Sequence, residues 1–317
     1  MSEIEFNPHK NNILNLSELS LDSSVLSEMR ICELYEIARL SAALIEKMLA
    51  DGFGIYEALS LISQGLSDAE PIIHEKHIPE NFEMLSSYGK ALSVYDKASF
   101  SRLLLKELRG LGVNISELDF FENVKREGSV VFVKSQLASE AYDVFAEELT
   151  SPTLKYAPDI KEAVALVSDG TVGYAILPLE EKGGARLSSI TEILFKSELK
   201  INSVTPVFGA LGNADMKYAL VSRAVDVPSY EAGDDRYLEL RLPALDTPKF
   251  SELISVAESF GIAIFRVNTI SFGTEDGIIP HFSIVLKTEA PSFSEMLIYL
   301  TLFVSDYTSV GIYKNLE

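Results

Sequence analysis

The chain has 317 residues, of which 47% are hydrophobic, and this length predicts two or three domains with ordinary globular cores. Its formal net charge is −20, which argues against binding to nucleic acid or an anionic membrane through a broad basic surface. A small anionic ligand remains compatible with that charge, because it needs only a local positive pocket.

Residues 1 to about 125 are predicted to be a helical segment. The first residues, MSEIEFNPHKNN, lack the features of a signal peptide, and no apolar run approaches the ~18 residues of a membrane span, so we expect a cytoplasmic protein. Apolar residues recur at helical spacing from Leu34 to Met48, and Asp51-Gly52 is typical of a helix end. A second helix is predicted through KASFSRLLLKELRGLGV, whereas residues 68–83 are predicted to form a loop. The predicted buried stripe of the second helix comprises Leu103, Leu104, Leu108 and Leu111.

This segment contains the single cysteine, Cys32, which excludes an intrachain disulfide and a cysteine zinc site. His74 and His77 form an H-x-x-H pair, but Pro79 follows them and no third ligand lies near in sequence. We therefore expect no metal site, and nothing in the chain indicates a cofactor.

Residues 126 to about 228 alternate strand-like and helix-like runs, which predicts a layered α/β lobe. The predicted order is strand–helix–helix–strand–helix–strand–strand. One of the strands lies in GYAILPLEEKGG, whose apolar run stops at Pro178. Glu180, Glu181 and Lys182 follow at once, at the end of the strand.

Residues 229–317 begin with a polar stretch, SYEAGDDR, that is typical of a linker. From Tyr237 onward the pattern is strand, helix, strand, strand, helix, strand, with Gly261 closing the first helix. The order βαββαβ predicts a ferredoxin-like unit.

Together, the second and third segments resemble prephenate dehydratase followed by its regulatory ACT domain. The resemblance covers about 60% of the chain, residues 128–317, and implies a periplasmic-binding-protein-like α/β lobe before a ferredoxin-like ACT domain. In VVFVKSQLASEAYDVF, Ser139-Glu140-Ala141 matches the family's helix start. Lys134 and Ser135 stand where the family has glycines.

The strand end also matches the family. Its Pro-Ile-Glu-Asn-Ser turn corresponds to Pro178-Leu179-Glu180-Glu181-Lys182, so the resemblance implies Glu180 as the candidate catalytic acid. Adjacent residues of a strand point to opposite faces, which argues against shared acid–base chemistry between Glu180 and Glu181. We expect a small carboxylated ligand or an amino acid to bind in one shallow hollow at this edge. The candidate ligand-binding residues are Lys134, Ser135, Ser139, Glu181, Lys182 and Lys217.

Two departures from the family weaken the case for catalysis. The second lobe is apparently missing, because only ALGNAD, residues 210–215, precedes the returning strand MKYALVSR. In that strand Met216 replaces the family's catalytic threonine and Lys217 replaces its arginine. A thioether cannot donate a hydrogen bond, and a lysine cannot reproduce the bidentate fork of arginine.

The predicted ACT domain departs from the family in its effector residues. Pro248, Lys249 and Phe250 stand in place of Gly-Ala-Leu, and Asn268-Thr269-Ile270-Ser271 in place of Glu-Ser-Arg-Pro. ACT domains pair side by side with amino acids at the seam, so the resemblance implies a homodimer. The candidate seam residues are Pro248, Lys249, Phe250, Asn268 and Thr269.

Three functions remain open from the sequence. The chain is a catalytically degenerate regulatory or amino-acid-sensing protein of phenylalanine biosynthesis, an active prephenate dehydratase that uses a partner surface, or an assembly scaffold without a ligand. A chorismate mutase at the N-terminus would need arginines that face inward. Arg30, Arg39, Arg102 and Arg109 are scattered, which favours a helical scaffold or dimerisation element.

Overall fold

A computed structural model gives the architecture of most of the chain. It describes residues 23–67, 85, 92–121, 128–208, 214–226, 235–244, 247–274, 277–288, 293–304 and 306–316. The predicted loop with His74 and His77, and most of the predicted linker, lie outside the described residues.

The described helices include those predicted from periodicity. They are α1 (Ser23–Ala50), α2 (Ile55–Ser67), α3 (Val94–Gly110), α4 (Gln136–Glu148), α5 (Ile160–Ser168), α6 (Ser188–Lys196), α7 (Thr247–Ser259) and α8 (Ser294–Phe303), with a 3-10 turn at Glu117–Phe120. As predicted, α1 and α7 end just before Gly52 and Gly261, which have φ of 88° and 72°. None of the described helices has both the length and the apolarity needed to cross a bilayer.

The strands form one sheet of mixed direction. They are β1 (Ser129–Val133), β2 (Thr153–Ala157), β3 (Tyr174–Glu181), β4 (Lys200–Phe208), β5 (Ala214–Ser222), β6 (Arg236–Pro243), β7 (Ala263–Thr274), β8 (Gly277–Thr288) and β9 (Thr308–Asn315). Their spatial order is β2-β1-β3-β5-β4-β9-β6-β8-β7. The fold class is thus mixed α/β and α+β, as predicted.

The lobe is a three-layer α/β/α arrangement. Strands β2, β1 and β3 are parallel, and β5 runs antiparallel between β3 and β4. Helix α4 packs on one face of the sheet through Ala138, Ala141 and Phe145, and α5 and α6 cover the other face. Residues 209–213 connect β4 to β5 and lie outside the described residues.

The C-terminal strands and helices form the predicted βαββαβ unit, with strand order β9-β6-β8-β7 and all neighbours antiparallel. Leu238, Leu240 and Leu242 of β6 pack beneath α7 and α8. The opposite face carries Tyr237, Glu239 and Arg241, which are 4%, 2% and 4% exposed. The lobe covers this second face, since Tyr237 belongs to the same core as α6.

The sheet continues from the lobe into the βαββαβ unit through the parallel pair β4–β9. At this pair Gly311 faces Ile201, and an added Cβ would lie 2.2 Å from the Ile201 carbonyl oxygen. A glycine is therefore required for the two backbones to approach this closely. The pairing crosses the boundary predicted near residue 228, and that division into domains stays a prediction.

The N-terminal helices pack against the βαββαβ unit. Their core includes Ile298 and Leu302 of α8, and Phe100 of α3 meets the ring of Phe303 edge-on at 6.1 Å. Arg30 of α1 donates to Asp96, the acid in the capping box of α3, at 3.0 Å.

Two local features differ from the sequence-based expectation. Strand β2 was not predicted, because four residues of TLKYA are exposed at the edge of the sheet and the run lacks an apolar face. Leu111 is 44% exposed and lies beyond the end of α3, whereas Leu104 and Leu108 of the predicted stripe are buried.

Candidate functional site

A cavity of about 640 Å³ lies at the carboxyl ends of β1, β2 and β3. We call it the carboxyl-edge cavity. The first turns of three helices reach it, through Ser135 and Ala138 at α4, Ile160 at α5 and Ser189 at α6. Because a helix N-terminus carries partial positive charge, this edge of an open α/β sheet favours an anionic ligand group.

The walls of the carboxyl-edge cavity are mainly apolar. Their hydrophobic residues are Val133, Ala138, Pro158, Ile160, Ile176, Pro178, Ile190 and Ile193. Asp159 and Lys161, from the start of α5, add one charge of each sign. An apolar body with an anionic and a cationic group, which is the composition of an apolar amino acid, matches this lining.

Ser135 links the cavity wall to the helix start. Its hydroxyl accepts a hydrogen bond from the Ala138 backbone N–H at 3.1 Å, as an N-cap does. The same side chain hydrogen-bonds Tyr218 of β5. Burial raises the pKa of Tyr218, so its phenol remains a neutral hydrogen-bonding group at the cavity.

Of the six residues predicted to bind a ligand, one, Ser135, lines the carboxyl-edge cavity. Lys134 instead lies over the ring of Tyr156, with its Nζ 5.2 Å from the ring centroid. Ser139 donates from its hydroxyl to the Ser135 carbonyl at 2.8 Å. Glu181 and Lys182 are exposed at the end of β3 and in the turn that follows.

Glu180, the candidate catalytic acid, is 4% exposed and surrounded by cations. Arg266 of β7 donates to it from both terminal nitrogens, at 2.5 Å and 3.3 Å. Arg186 Nε lies 3.3 Å from Oε1, and Lys217 Nζ lies 3.8 Å from Oε2. Glu180 therefore links the lobe to the βαββαβ unit through its ion pair with Arg266. Lys217, which was predicted to bind an anionic ligand, instead lies within ion-pair distance of Glu180.

These charges extend to the buried face of β6. Arg186 Nη2 lies 2.5 Å from Glu239 Oε2, and Glu239 also accepts hydrogen bonds from Ser283 at 3.3 Å and Tyr313 at 3.2 Å. Burial lowers the pKa of Arg186, but the nearby Glu239, Tyr313 and Glu180 outweigh it and raise the pKa above its usual value. We call Glu180, Arg186, Lys217, Glu239 and Arg266 the buried ion cluster.

The residues predicted for the effector seam are divided between two places. Asn268 and Thr269 line a cavity of about 420 Å³ beside Arg186 and Glu239. On the helix side, Lys249 pairs with Asp306 at 3.2 Å, and Phe250 stacks on Phe282 with ring centroids 4.5 Å apart. The side chain of Pro248 is outside the described residues.

Sequence reasoning missed Arg186, Glu239, Arg266 and Tyr313. Glu239 and Arg266 are charged residues in LELRL and in the strand that follows it, and charged positions in a strand are usually read as facing solvent. Arg186, in the turn after β3, and Tyr313, in β9, had no such signal. The lobe buries the strand face that carries Glu239, and this contact between distant segments leaves no mark in local periodicity. No group of three possible metal ligands occurs among the described histidine, cysteine, aspartate and glutamate residues.

Comparison with known proteins gives weak likenesses only. No protein-family profile matches the chain, and no curated protein matches it. Among solved structures, prephenate dehydratase from Streptococcus mutans is 16% identical, with a TM-score of 0.47 over 60% of this chain and 99% of that one.

Two further solved structures have somewhat lower TM-scores. One is described as GqqA, a novel type of quorum-quenching acylase, at 18% identity and a TM-score of 0.44 over 59% of this chain and 95% of that one. The other is prephenate dehydratase from Arthrobacter aurescens in complex with L-Phe, at 13% identity and a TM-score of 0.42 over 58% and 89%. All three likenesses are too weak to transfer an activity to this chain.

Proposed function

We propose that this chain is a prephenate dehydratase-like protein of aromatic amino-acid metabolism that lacks independent catalysis. It binds an amino acid, or another small carboxylated ligand, in the carboxyl-edge cavity and acts as a regulatory protein. The observation that carries the proposal is the contrast, at the end of β3, between the carboxyl-edge cavity and the surroundings of Glu180. The cavity is open to a ligand, whereas Glu180 is buried in salt bridges.

The cavity supports binding of an amino acid. The first turns of α4, α5 and α6 and the ammonium of Lys161 favour a carboxylate. Asp159 offers a partner for an α-ammonium group, and the apolar walls suit a hydrophobic side chain. The volume of about 640 Å³ lies within the range of small-molecule sites.

The surroundings of Glu180 argue against dehydratase chemistry. A general acid must reach the departing hydroxyl of the substrate. Glu180 instead accepts hydrogen bonds from Arg266, and Arg186 and Lys217 lie within ion-pair distance. Met216, in the position of the family's catalytic threonine, has no proton to donate.

The carboxyl-edge cavity and the buried ion cluster are connected by residues that are close together along β3 and β5. Pro178 lines the cavity two residues before Glu180, and Tyr218 lines it next to Lys217. A ligand that shifts the ends of β3 and β5 would change the distances from Glu180 and Lys217 to Arg266. The βαββαβ unit can respond to occupancy in this way, as a regulatory role requires.

Thermal unfolding tests the binding proposal. The protein is heated with each of the twenty amino acids and with prephenate, beginning with L-phenylalanine. A ligand at 100 times its dissociation constant adds about 2.7 kcal/mol to the free energy of unfolding, which raises Tm by several degrees. We expect this rise for at least one of these compounds.

Two variants identify the site of that binding. Lys161→Gln removes the cation from the cavity and is expected to weaken binding by about tenfold or more. Lys196→Gln removes an exposed cation that pairs with Glu192 outside the cavity, and it should bind as the wild type does. Absence of stabilisation by any compound, or equal binding by both variants, would contradict the proposal.

A further inference from the structure

A second cavity, of about 490 Å³, lies where the three parts of the described chain meet. We call it the junction cavity. The N-terminal segment contributes Tyr56 and Phe121, the lobe contributes Lys200 and Arg223, and the βαββαβ unit contributes Tyr307 and Ser309. None of these residues lines the carboxyl-edge cavity.

The junction cavity has a local excess of positive charge in an acidic protein. Lys200 and Arg223 line it, against the single carboxylate of Glu198. Lys200 is held in place because its Nζ donates to the Ser309 carbonyl at 2.8 Å. Two cations in one concave site attract a small anion even when the net charge of the chain is −20.

The guanidinium of Arg223 lies beside a glycine. A Cβ added to Gly170 would lie 3.0 Å from Arg223 Nη2, so the guanidinium packs directly against the Gly170 backbone at the end of α5. A guanidinium at a cavity wall offers a planar fork of N–H donors to a carboxylate or a phosphate.

Aromatic rings form much of the remaining wall, from Tyr56, Phe120, Phe121 and Tyr307. Burial raises the pKa of Tyr307 to about 12, so its phenol keeps its proton at neutral pH. Rings from three separate elements around one cavity suit a flat apolar group, which can stack against them or meet them edge-on.

The junction cavity also has a polar group that lacks a partner. The Ser309 hydroxyl is buried and has no hydrogen-bond partner among the described residues. An unsatisfied buried hydroxyl is costly, and native proteins seldom keep one without a reason. Ser309 lines the cavity, and its side chain would have to rotate toward the cavity for this buried hydroxyl to donate to a bound molecule.

We propose that the junction cavity binds a small aromatic molecule that carries one anionic group. The ring packs among Tyr56, Phe121 and Tyr307, and the anion lies between Lys200 and Arg223. Such a ligand contacts the N-terminal helices, the lobe and the βαββαβ unit at once. The site does not depend on the function proposed above, because it shares no lining residue with the carboxyl-edge cavity.

Calorimetric titration of the full chain tests the ligand class. Phenylacetate and phenyl phosphate are the probes, and they distinguish a carboxylate from a phosphate. Benzyl alcohol keeps the ring without charge, and acetate and inorganic phosphate keep the charge without the ring. We expect saturable binding of at least one aromatic anion, and binding of all three controls at least about tenfold weaker. Either a lack of saturation by both probes up to about 10 mM, or equal affinity for a control, would overturn the proposal.

Three variants then locate the site. Arg223→Gln and Tyr56→Ala change exposed side chains, so the fold should be retained, and Tm provides the check. Arg223→Gln is expected to weaken probe binding about 10- to 100-fold through loss of a charge-assisted contact. Tyr56→Ala is expected to weaken it about threefold or more through loss of a ring. Lys196→Gln, which removes an exposed lysine that lines neither cavity, should bind the probe unchanged. Probe affinity that is unaffected by both junction variants would refute the assignment.

Discussion

Glu180 and Glu181 are adjacent in sequence and differ sharply in environment. Glu180 is 4% exposed and contacts Arg266, Arg186 and Lys217, whereas Glu181 is exposed. The expectation that the two acids do not share chemistry agrees with this geometry. A carboxylate with several cationic neighbours stabilises a contact between segments, and it is poorly placed to protonate a substrate.

Replacement of Glu180 by alanine should therefore destabilise the protein. The change leaves Arg186 and Arg266 partly buried without their shared carboxylate, so we expect a loss of about 3–5 kcal/mol in the free energy of unfolding. Urea denaturation provides the measurement. Glu181→Ala is the matched control and should change stability by no more than about 0.5 kcal/mol. Equal effects of the two substitutions would rule out a structural role for Glu180.

The raised pKa of the Tyr307 phenol leads us to expect a loss of stability at alkaline pH. Burial raises its pKa from 10.0 to about 12 in the folded protein. The unfolded chain then loses this proton first, so stability is full below pH 10 and falls as the pH rises toward 12. At pH 11 the loss from this one group is on the order of 1 kcal/mol.

Urea denaturation at pH 9 and pH 11 measures this loss. Tyr307→Phe removes the ionisable group, so between pH 9 and pH 11 its stability should fall less than that of the wild type, by on the order of 1 kcal/mol. An identical pH dependence for the variant and the wild type would show that Tyr307 is not buried as described.

The pairing of β4 with β9 makes one sheet of the lobe and the βαββαβ unit. Their closest approach is at Gly311, opposite Ile201. Both strands are individually predictable from their apolar runs. Their pairing is not, because it joins residues more than 100 positions apart in the chain.

Gly311→Ala is expected to force β4 and β9 apart. The new methyl group would lie 2.2 Å from the Ile201 carbonyl oxygen, so backbone must move. We expect a loss of at least about 1–3 kcal/mol in stability, the usual cost of overpacking. Gly110→Ala is the control, because no atom lies within 4 Å of its added Cβ. A Gly311→Ala variant as stable as this control would contradict the described strand contact.

Local patterns predict the elements much better than their contacts. The 3.6-residue and two-residue periods predicted α1, α3 and the whole βαββαβ order. Strand β2 was not predicted, because Leu154 and Tyr156 are exposed and give the strand no buried apolar face. Sequence reasoning singled out Ser135, which lines the carboxyl-edge cavity, and Glu180, which lies in the buried ion cluster. Arg266 was not, because its role depends on the lobe covering a face that looks solvent-exposed in sequence.

Considered as a whole, the molecule has its sheet edges at β2 and β7. On β7, Phe265 and Val267 are 47% and 38% exposed. An edge strand with exposed apolar side chains is a natural pairing surface, and it supports the predicted homodimer through the C-terminal segment.

Light scattering tests this assembly. We expect the wild type to be a dimer at micromolar concentration and Val267→Lys to be a monomer, because a lysine on an edge strand opposes strand pairing. The Tm of the isolated variant should show that its fold is retained. A monomeric wild type, or a variant that remains dimeric, would contradict pairing through β7.

The central claim is that Glu180 stabilises the contact between the lobe and the βαββαβ unit and does not act as a catalytic acid. Conversion of prephenate to phenylpyruvate, measured with purified wild type and with folded Glu180→Gln, tests it most directly. We expect neither protein to approach a turnover of about 1 per second, the lower end of typical enzyme rates. Turnover at about that rate or faster by the wild type, abolished in a Glu180→Gln variant that remains folded, would contradict the account.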